Sequence, residues 1–530
     1  MKEVETKGYE NNAVHLAGFK HLFSVLLSCF VLIFAGTACA FADEQSCDDF
    51  YVRPYLQMGK NGKPDELELL WVAKSNRDRW KLEVKEAASE KWQTQVTPVS
   101  SFVLTPHPSP LYRCHIKHLL AGEPFRYRLL KNGHEVFQAG AIALKKSGQK
   151  CRVILFGDMG ANTDGQRKIA YRVFEAKPDL LVLLGDITYD FGLYSEYLNK
   201  FFPIYNCDKA SLEMGAPILR SIIAIAVLGN HDVALGDDPH GVNLDKFADG
   251  LAFFKIWSSP LNGPLSDRAG LNIPRLLGNS ANIAEYEKQA GERYPRMANY
   301  SFNYGDAHWL VLDANPYMNW TDNSLRNWVA KDLDQARSSK WKFVCFHQPG
   351  FSFDASHYKE QRMRLLCDVF EKGGVDVVFC GHAHNYQRSF PLRFKINGKN
   401  GSSPINADGT IDGDFSFDKE FDGRDRSVPN GIIYIVSGAG GAKLYPGADA
   451  KDHTLKRYFT DKFVSDTHSF TILDLASTSL TVEQISENGT LLDSFKINKA
   501  DPSKVAPVSH NTVNEGPDKT KLPEASGVKQ

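Results

Sequence analysis

Five short segments between residues 157 and 384 each place metal-ligating side chains directly behind an apolar run. In chain order they are GDMG (Gly157–Gly160), GDITY (Gly185–Tyr189), GNHD (Gly229–Asp232), VCFH (Val344–His347) and GHAH (Gly381–His384). The runs in front of them, RVILF, DLLVLL, SIIAIAVL, WKF and VDVVFC, read as buried strands. Open α/β sheets collect functional groups beyond the carboxyl ends of their strands. One rim of such a sheet would gather Asp158, Asp186, Tyr189, Asn230, His347, His382 and His384. Seven donors exceed what a single tetrahedral ion accepts and suit two metals that share a bridging ligand. Asp186 is the natural bridge, with two carboxylate oxygens and a central place in the motif order.

The donor types narrow the metals. Hard cations prefer oxygen, whereas zinc and ferrous ions accept imidazole equally well, and this set is mixed. A neutral phenol, with a pKa of about 10, is a poor ligand. A trivalent ion would strip its proton, by the logic that acidifies metal-bound water. Tyr189 therefore points to one ferric ion.

In these motifs the chain resembles the purple acid phosphatases, within the calcineurin-like metallophosphoesterases. Most members of that superfamily open with D-x-H, but here Asp158-Met159-Gly160 lacks the histidine. Purple acid phosphatases replace it with the tyrosine of GDxxY, and Tyr189 stands at that position. The likeness covers most of residues 50–497, including the GAGG that follows GHAH. It implies a four-layer α-β-β-α sandwich preceded by a small all-β, fibronectin-III-like sandwich. It implies Fe(3+) held by Asp158, Asp186, Tyr189 and His384, and a divalent metal (Zn, Fe or Mn) held by Asp186, Asn230, His347 and His382. The implied activity is that of an acid phosphatase, cleaving phosphate monoesters by in-line attack of a metal-held hydroxide. His231 resembles the family histidine that touches phosphate oxygens, and His357 resembles a substrate-contacting histidine. Either is placed to protonate the departing alkoxide. A phosphodiesterase or nucleotide-directed enzyme would use the same metals with a different pocket. A silent binding protein would need a lost ligand, and none of the seven is missing.

The rest of the chain sets the context. Residues 1–42 carry lysines, the apolar stretch FSVLLSCFVLIFA and two A-x-A patterns, and read as a signal peptide or, if uncleaved, a membrane anchor. Either reading exports the body of the protein, to a periplasmic or extracellular location. Residues 50–147 alternate in short strands, and residues 150–497 alternate strands with helices, as in an α/β catalytic domain. Two stretches interrupt that alternation: 237–295, read as a cap over the site, and the Gly/Asn/Asp-rich 397–429, read as a polar surface loop. Residues 498–530 are polar and read as a disordered tail. A net charge of -1 excludes a globally basic nucleic-acid binder, though not a local basic patch; the partners expected are a phosphate-ester substrate and, only if residues 1–42 stay uncleaved, a membrane. Seven cysteines follow the leader, without a CxxC, and Cys345 and Cys380 read as buried, inert thiols. Sequons begin at Asn299, Asn319, Asn400 and Asn488, and bear on the protein only in a glycosylating host. His308 reads as a strand histidine, and His240, Asp237 and Asp238 as a solvated loop. Asn385 and Arg388 read equally as part of the pocket mouth or as structural caps.

Overall fold

The computed structural model describes residues 49–95, 100–104, 109–234, 241–264, 272–397, 403–445 and 458–499. The leader, Cys47, the Asp237–His240 cluster, Asn400 and residues 500–530 lie outside the described residues. Two sheets form the centre of the molecule. The first runs in the order Ile223–Ala226, Leu180–Leu183, Cys151–Phe156, Ser469–Leu475, Ser479–Ser486 and Leu491–Asn498. The second runs Tyr300–Tyr304, Ala307–Val311, Trp341–Cys345, Val377–Cys380, Ile433–Ser437, Tyr386–Ser389 and Thr460–Val464. All five runs read as strands from the sequence are parallel members of these sheets, and each ends where its motif begins.

Burial on both faces explains why these strands read as continuous apolar runs rather than alternating ones. Val153, Leu155, Val182 and Ile225 face Trp309, Phe343, Phe379 and Ile435 in one core between the sheets. The alternate residues Ile154, Leu181 and Ala224 pack outward with Ile169 and Val173 of the helix Asp164–Glu175. Val344 and Val378 join the same outer cluster as Leu325, Val329 and Leu333 of the helix Asn323–Gln335. The layers are therefore helix, sheet, sheet, helix.

The spacing of KEQRMRLLCDVFEKGG, residues 359–374, predicts a longer helix than the one that forms. Residues Arg362–Leu366 form a 3-10 turn, and only Cys367–Gly373 is α-helical, ending on Gly374 in the left-handed region at φ 71°. In front of the two sheets, Phe50–Gln57, Leu67–Ala73, Ser109–Ile116 and Ser100–Leu104 form one four-stranded sheet. Gln93–Thr94, Trp80–Glu86, Pro124–Lys131 and His134–Ile142 form another. Trp71, Tyr127 and Leu129 of this sandwich belong to the same buried cluster as the inter-sheet core, and the described residues pack as one unit.

Both inserted stretches make specific contacts with the rest of the protein. The described part of 237–295 includes the helix Ser280–Ala290 and grips the sandwich: Ser258 Oγ donates to Glu68 at 2.6 Å, and Arg113 donates to Lys255 O at 3.2 Å. Another contact, Phe247 against Phe191 at 4.9 Å, reaches the loop after Tyr189, so the segment braces that loop and the sandwich. The described part of the second stretch, residues 403–429, follows the pairing of Leu392–Ile396 with Gly413–Phe417, and Ile411 within it donates its N–H to Gln361 Oε1 on the body of the protein. His308 is a strand histidine held by Asn303 and Asp332, and Arg388 is paired with Asp461 and Asp493. Buried Asn385 accepts a hydrogen bond from Gln387, so neither it nor Arg388 lines a pocket mouth. The six described cysteines are free and buried, and burial pushes the Cys367 thiol up to about 12. Asn299 is buried and bonded to Asp313, which removes it as a glycan acceptor in the folded protein, while Asn319 and Asn488 are exposed. No described helix is long and apolar enough to cross a membrane.

Candidate metal centre

The turns that end the strands are bent hard. Asp158, Asp186 and His382 all lie in the left-handed region, at φ 60°, 47° and 70°. Non-glycine residues rarely adopt it, and such outliers cluster where side chains must be aimed for function. Gly185 and Gly229 allow the close approach: a Cβ on Gly185 would fall 2.5 Å from His347 Nδ1, and one on Gly229 2.2 Å from Asp186 N. Neither position tolerates any larger residue.

All seven sequence-derived donors meet. Tyr189 OH lies 3.2 Å from Asp158 Oδ1 and 3.1 Å from His384 Nε2. His384 Nε2 lies 3.4 Å from Asp158 Oδ1, which closes a three-donor group. Beside it, His347 Nε2 is 3.2 Å from Asp186 Oδ2, and His382 completes a second group with them. Asn230 Oδ1 stands 3.0 Å from His382 Nδ1. The donors thus lie in two neighbouring groups.

Backbone contacts aim each donor. The His382 N–H takes Asp158 Oδ2 at 2.8 Å and leaves Oδ1 for the phenol; the His231 N–H takes Asp186 Oδ1 at 2.8 Å and leaves Oδ2 for His347. His347 Nδ1 donates to Leu184 O at 2.7 Å, and His384 Nδ1 to Lys443 O at 2.6 Å, so Nε2 is the atom each ring leaves for a metal to take in place of a proton.

Three observations show that this set fits metal ions. His347 Nε2 is buried without a hydrogen-bond partner. A neutral His382 has one N–H but two oxygen neighbours, Asn230 Oδ1 at 3.0 Å and Glu360 Oε2 at 3.1 Å. One of those contacts then sets lone pair against lone pair, and a cation between Nδ1 and Asn230 removes the repulsion. Finally, Asp158 and Asp186 are fully buried carboxylates, which demand positive charge nearby. The electrostatics agree: burial lowers the pKa of His347, yet Asp186 and Asp158 overcome it and hold the group at about 10. Burial likewise opposes ionisation of Asp186, and His347 and His231 drive its pKa far down. For Tyr189, burial and Asp158 push the phenol well above its usual range, so it stays protonated until a strong Lewis acid competes for the oxygen.

The two expected proton-transfer histidines border the cluster. His231 Nδ1 is 2.7 Å from Asp190 O, and its Nε2 lies 4.0 Å from Asp186 Oδ2. The His357 ring is 4.2 Å from that of His382, with Nδ1 fixed on Asp354 Oδ1 at 2.8 Å. Four contributors escaped the sequence reading. Asp354 and Glu360 orient His357 and His382; Tyr445 stacks on His384 at 4.0 Å and 8°. The fourth, Asp232, takes the N–H groups of Ile187 and Gly229 and so ties two motif loops together. Only Asp232 lay inside a motif, where its place after His231 was its signal.

Behind the centre, buried Asp313 accepts from Tyr317 OH at 2.6 Å and from Asn315, whose Nδ2 also reaches Gly229 O at 3.4 Å. Burial raises its pKa to about 6, against the hydrogen bonds from Tyr317 and Asn315. A carboxyl raised on folding contributes stability below its unfolded value of 3.8, and that stability is lost as pH rises through about 6. Unfolding titrations across this window should show Asp313→Asn lacking a component of at most ~3 kcal/mol that the wild type loses. Equal pH profiles for the two proteins would contradict a raised Asp313.

The comparisons with known proteins agree with the fold and the motifs. Residues 151–386 match the model of the calcineurin-like phosphoesterases, and residues 431–494 that of the iron/zinc purple acid phosphatase-like protein C region. Purple acid phosphatase 23 of Arabidopsis thaliana is 24% identical over 259 residues, 45% of this chain and 47% of the relative. Purple acid phosphatase 15 of the same plant is 23% identical over 295 residues, 52% of this chain and 46% of the relative. The chain thus spans about half the length of these curated relatives. A purple acid phosphatase from yellow lupin (Lupinus luteus) seeds shares the fold, with a TM-score of 0.60 and 17% identity, covering 87% of this chain and 77% of that one. Fold and matched models define the class, a calcineurin-like metallophosphoesterase. Within it the chain is similar to the purple acid phosphatases, a family that implies a binuclear centre containing iron.

Proposed function

We propose that the chain is an acid phosphatase that hydrolyses phosphate monoesters at a ferric–divalent pair. The observation that carries this reading is the division of donors into Asp158, Tyr189 and His384 on one side and Asp186, His347, His382 and Asn230 on the other. The first group, together with Asp186, would hold Fe(3+); the second would hold a Zn, Fe or Mn ion. When bound, such a pair supplies Lewis acidity at the phosphoryl group and acidifies water for attack. The protein supplies the rest. Backbone amides lock both aspartates, carbonyl oxygens lock two imidazole tautomers, and burial excludes competing solvent. His231 is anchored through Nδ1, so Nε2 is the atom that carries a proton to the leaving oxygen. His357, held by Asp354, is the second candidate for that task.

The same reading extends to organisation and location. We take residues 1–42 as the export leader, 50–147 as the sandwich, 150–497 as the catalytic body and 498–530 as a tail. Protonated, buried thiols such as Cys367 would survive an oxidising compartment.

The test is a panel of aryl and alkyl monoesters and one diester, run on metal-loaded wild type and His231→Ala. Monoesters should be the better substrates. The variant should keep both metals and lose about 10²-fold in kcat on alkyl esters, and less on aryl esters whose leaving group departs unaided. Preference for the diester would replace the monoesterase reading. Loss of a metal from His231→Ala would make His231 a ligand.

A further inference from the structure

Next to the metal centre lies a cavity of about 310 Å³ that the proposed mechanism does not use. Two of its lining residues touch the centre: Gln348 follows His347 in the chain, and Glu360 reaches His382 Nε2 at 3.1 Å. Lys359 and Arg362 line it as well, together with Ile405 and Asp408 from the turn between Leu392–Ile396 and Gly413–Phe417. That turn is fastened in place by Gln361 Oε1, which accepts the Ile411 N–H at 2.9 Å, and by the bridge from Ile405 to Ile411. The Gly- and Asp-rich stretch read from the sequence as a surface loop is thus a wall of this recess.

The charges around the cavity are matched except for one. Lys359 Nζ lies 3.5 Å from Asp408 Oδ2, and Glu360 is engaged with His382. Arg362 has no carboxylate within 4.0 Å among the described residues, and its guanidinium makes one long hydrogen bond, to Ala314 O at 3.5 Å. Burial destabilises its charge, with Glu360 and Asp313 compensating in part. A half-buried guanidinium with an open donor fork is a costly arrangement unless an anion completes it.

We propose that this cavity receives the leaving group of the phosphate ester, and that Arg362 selects leaving groups carrying a second anionic group, a carboxylate or a further phosphate. The inference rests on the phosphomonoesterase reading of the neighbouring centre. A phosphoryl group held beside His347 and His382 would lie next to Glu360, which touches His382 at 3.1 Å and also lines the recess, so the recess is within reach of its ester substituent. The planar guanidinium matches either anion through paired N–H donors, so charge and geometry act together. Arg362 contacts the part of the substrate that does not react, and its effect belongs in KM.

The experiment uses the full, metal-loaded chain and three alkyl esters of equal length: propyl phosphate, 3-(phosphonooxy)propanoate and propane-1,3-diyl bisphosphate. Wild type should favour the two charged esters over propyl phosphate by about tenfold in kcat/KM, mostly through KM, the size expected of one charge-assisted contact. Arg362→Gln should erase that ratio, and Arg362→Lys should restore part of it, since the charge returns without the fork. Discrimination for only one of the two charged esters would support the subsite and identify the anion it reads. A wild type that cleaves all three alike, or an Arg362→Gln that keeps the ratio, overturns the inference and leaves the phosphatase reading standing. Failure to cleave propyl phosphate or any other monoester overturns both.

Discussion

His347→Ala should lower kcat/KM by on the order of a thousandfold, several kcal/mol of lost transition-state stabilisation. The imidazole is fully buried, its Nδ1 is committed to Leu184 O, and its Nε2 faces Asp186 Oδ2 at 3.2 Å with no hydrogen bond. No other described side chain replaces that lone pair. The substitution also removes the charge partner of Asp186, which costs stability as well as activity. The core between the sheets is large and does not run through His347, so the folded state should persist with a lowered unfolding temperature. Metal analysis separates the causes: the variant should keep iron and lose the divalent ion. Asn230→Ala, altering a less buried donor, should move metal content and activity in the same direction. A metal-replete His347→Ala with wild-type turnover would remove His347 from the ligand set.

Tyr189→Phe should abolish the colour of the iron-loaded protein. A phenolate on ferric iron donates electron density to the metal and produces a broad visible absorption that carboxylate and imidazole ligands do not give. The hydroxyl stands 3.2 Å from Asp158 Oδ1 and 3.1 Å from His384 Nε2, inside the group of donors proposed for iron. The ring packs 4.5 Å from His231, a contact that phenylalanine retains, so the variant tests the oxygen and little else. Ferric affinity should fall with the loss of an anionic donor, while turnover should fall less than absorbance. Visible spectra of wild type and variant, taken at equal iron content, decide the matter. A colourless wild type, or a band that survives in Tyr189→Phe, would mean two divalent ions and an ordinary packed tyrosine.

Much of the centre was legible because each motif sits at the end of an apolar run. Strand and ligand are adjacent in the chain, and the parallel sheets bring all five ends to one side. Other readings failed for a physical reason. The spacing of KEQRMRLLCDVFEKGG suits a helix, but Arg362–Leu366 takes a tighter 3-10 turn, with Arg364 Nε reaching back to Gly350 O at 2.7 Å. The described residues 403–429 are mostly exposed or half-buried, as their polar composition suggests, but Ile411 is buried, with its N–H and C=O held by Gln361 and Arg364, which composition does not report.

By itself, then, the sequence determined the strand-by-strand α/β core and the placing of seven candidate donors at strand ends, since both are written in local order and periodicity, while the two-sheet layering and the pairing of Asp158-Met159-Gly160 with Tyr189 followed from the family resemblance. The tertiary structure alone decided which atoms those donors present. The tautomers of His347 and His384 depend on Leu184 O and Lys443 O, and the setting of His382 on Glu360. It alone merged the sandwich with the inter-sheet core and built a recess from the 359–363 segment and a distant turn. These features are contacts between residues far apart in the chain or backbone groups without side-chain identity, and neither leaves a periodic trace for a sequence to show.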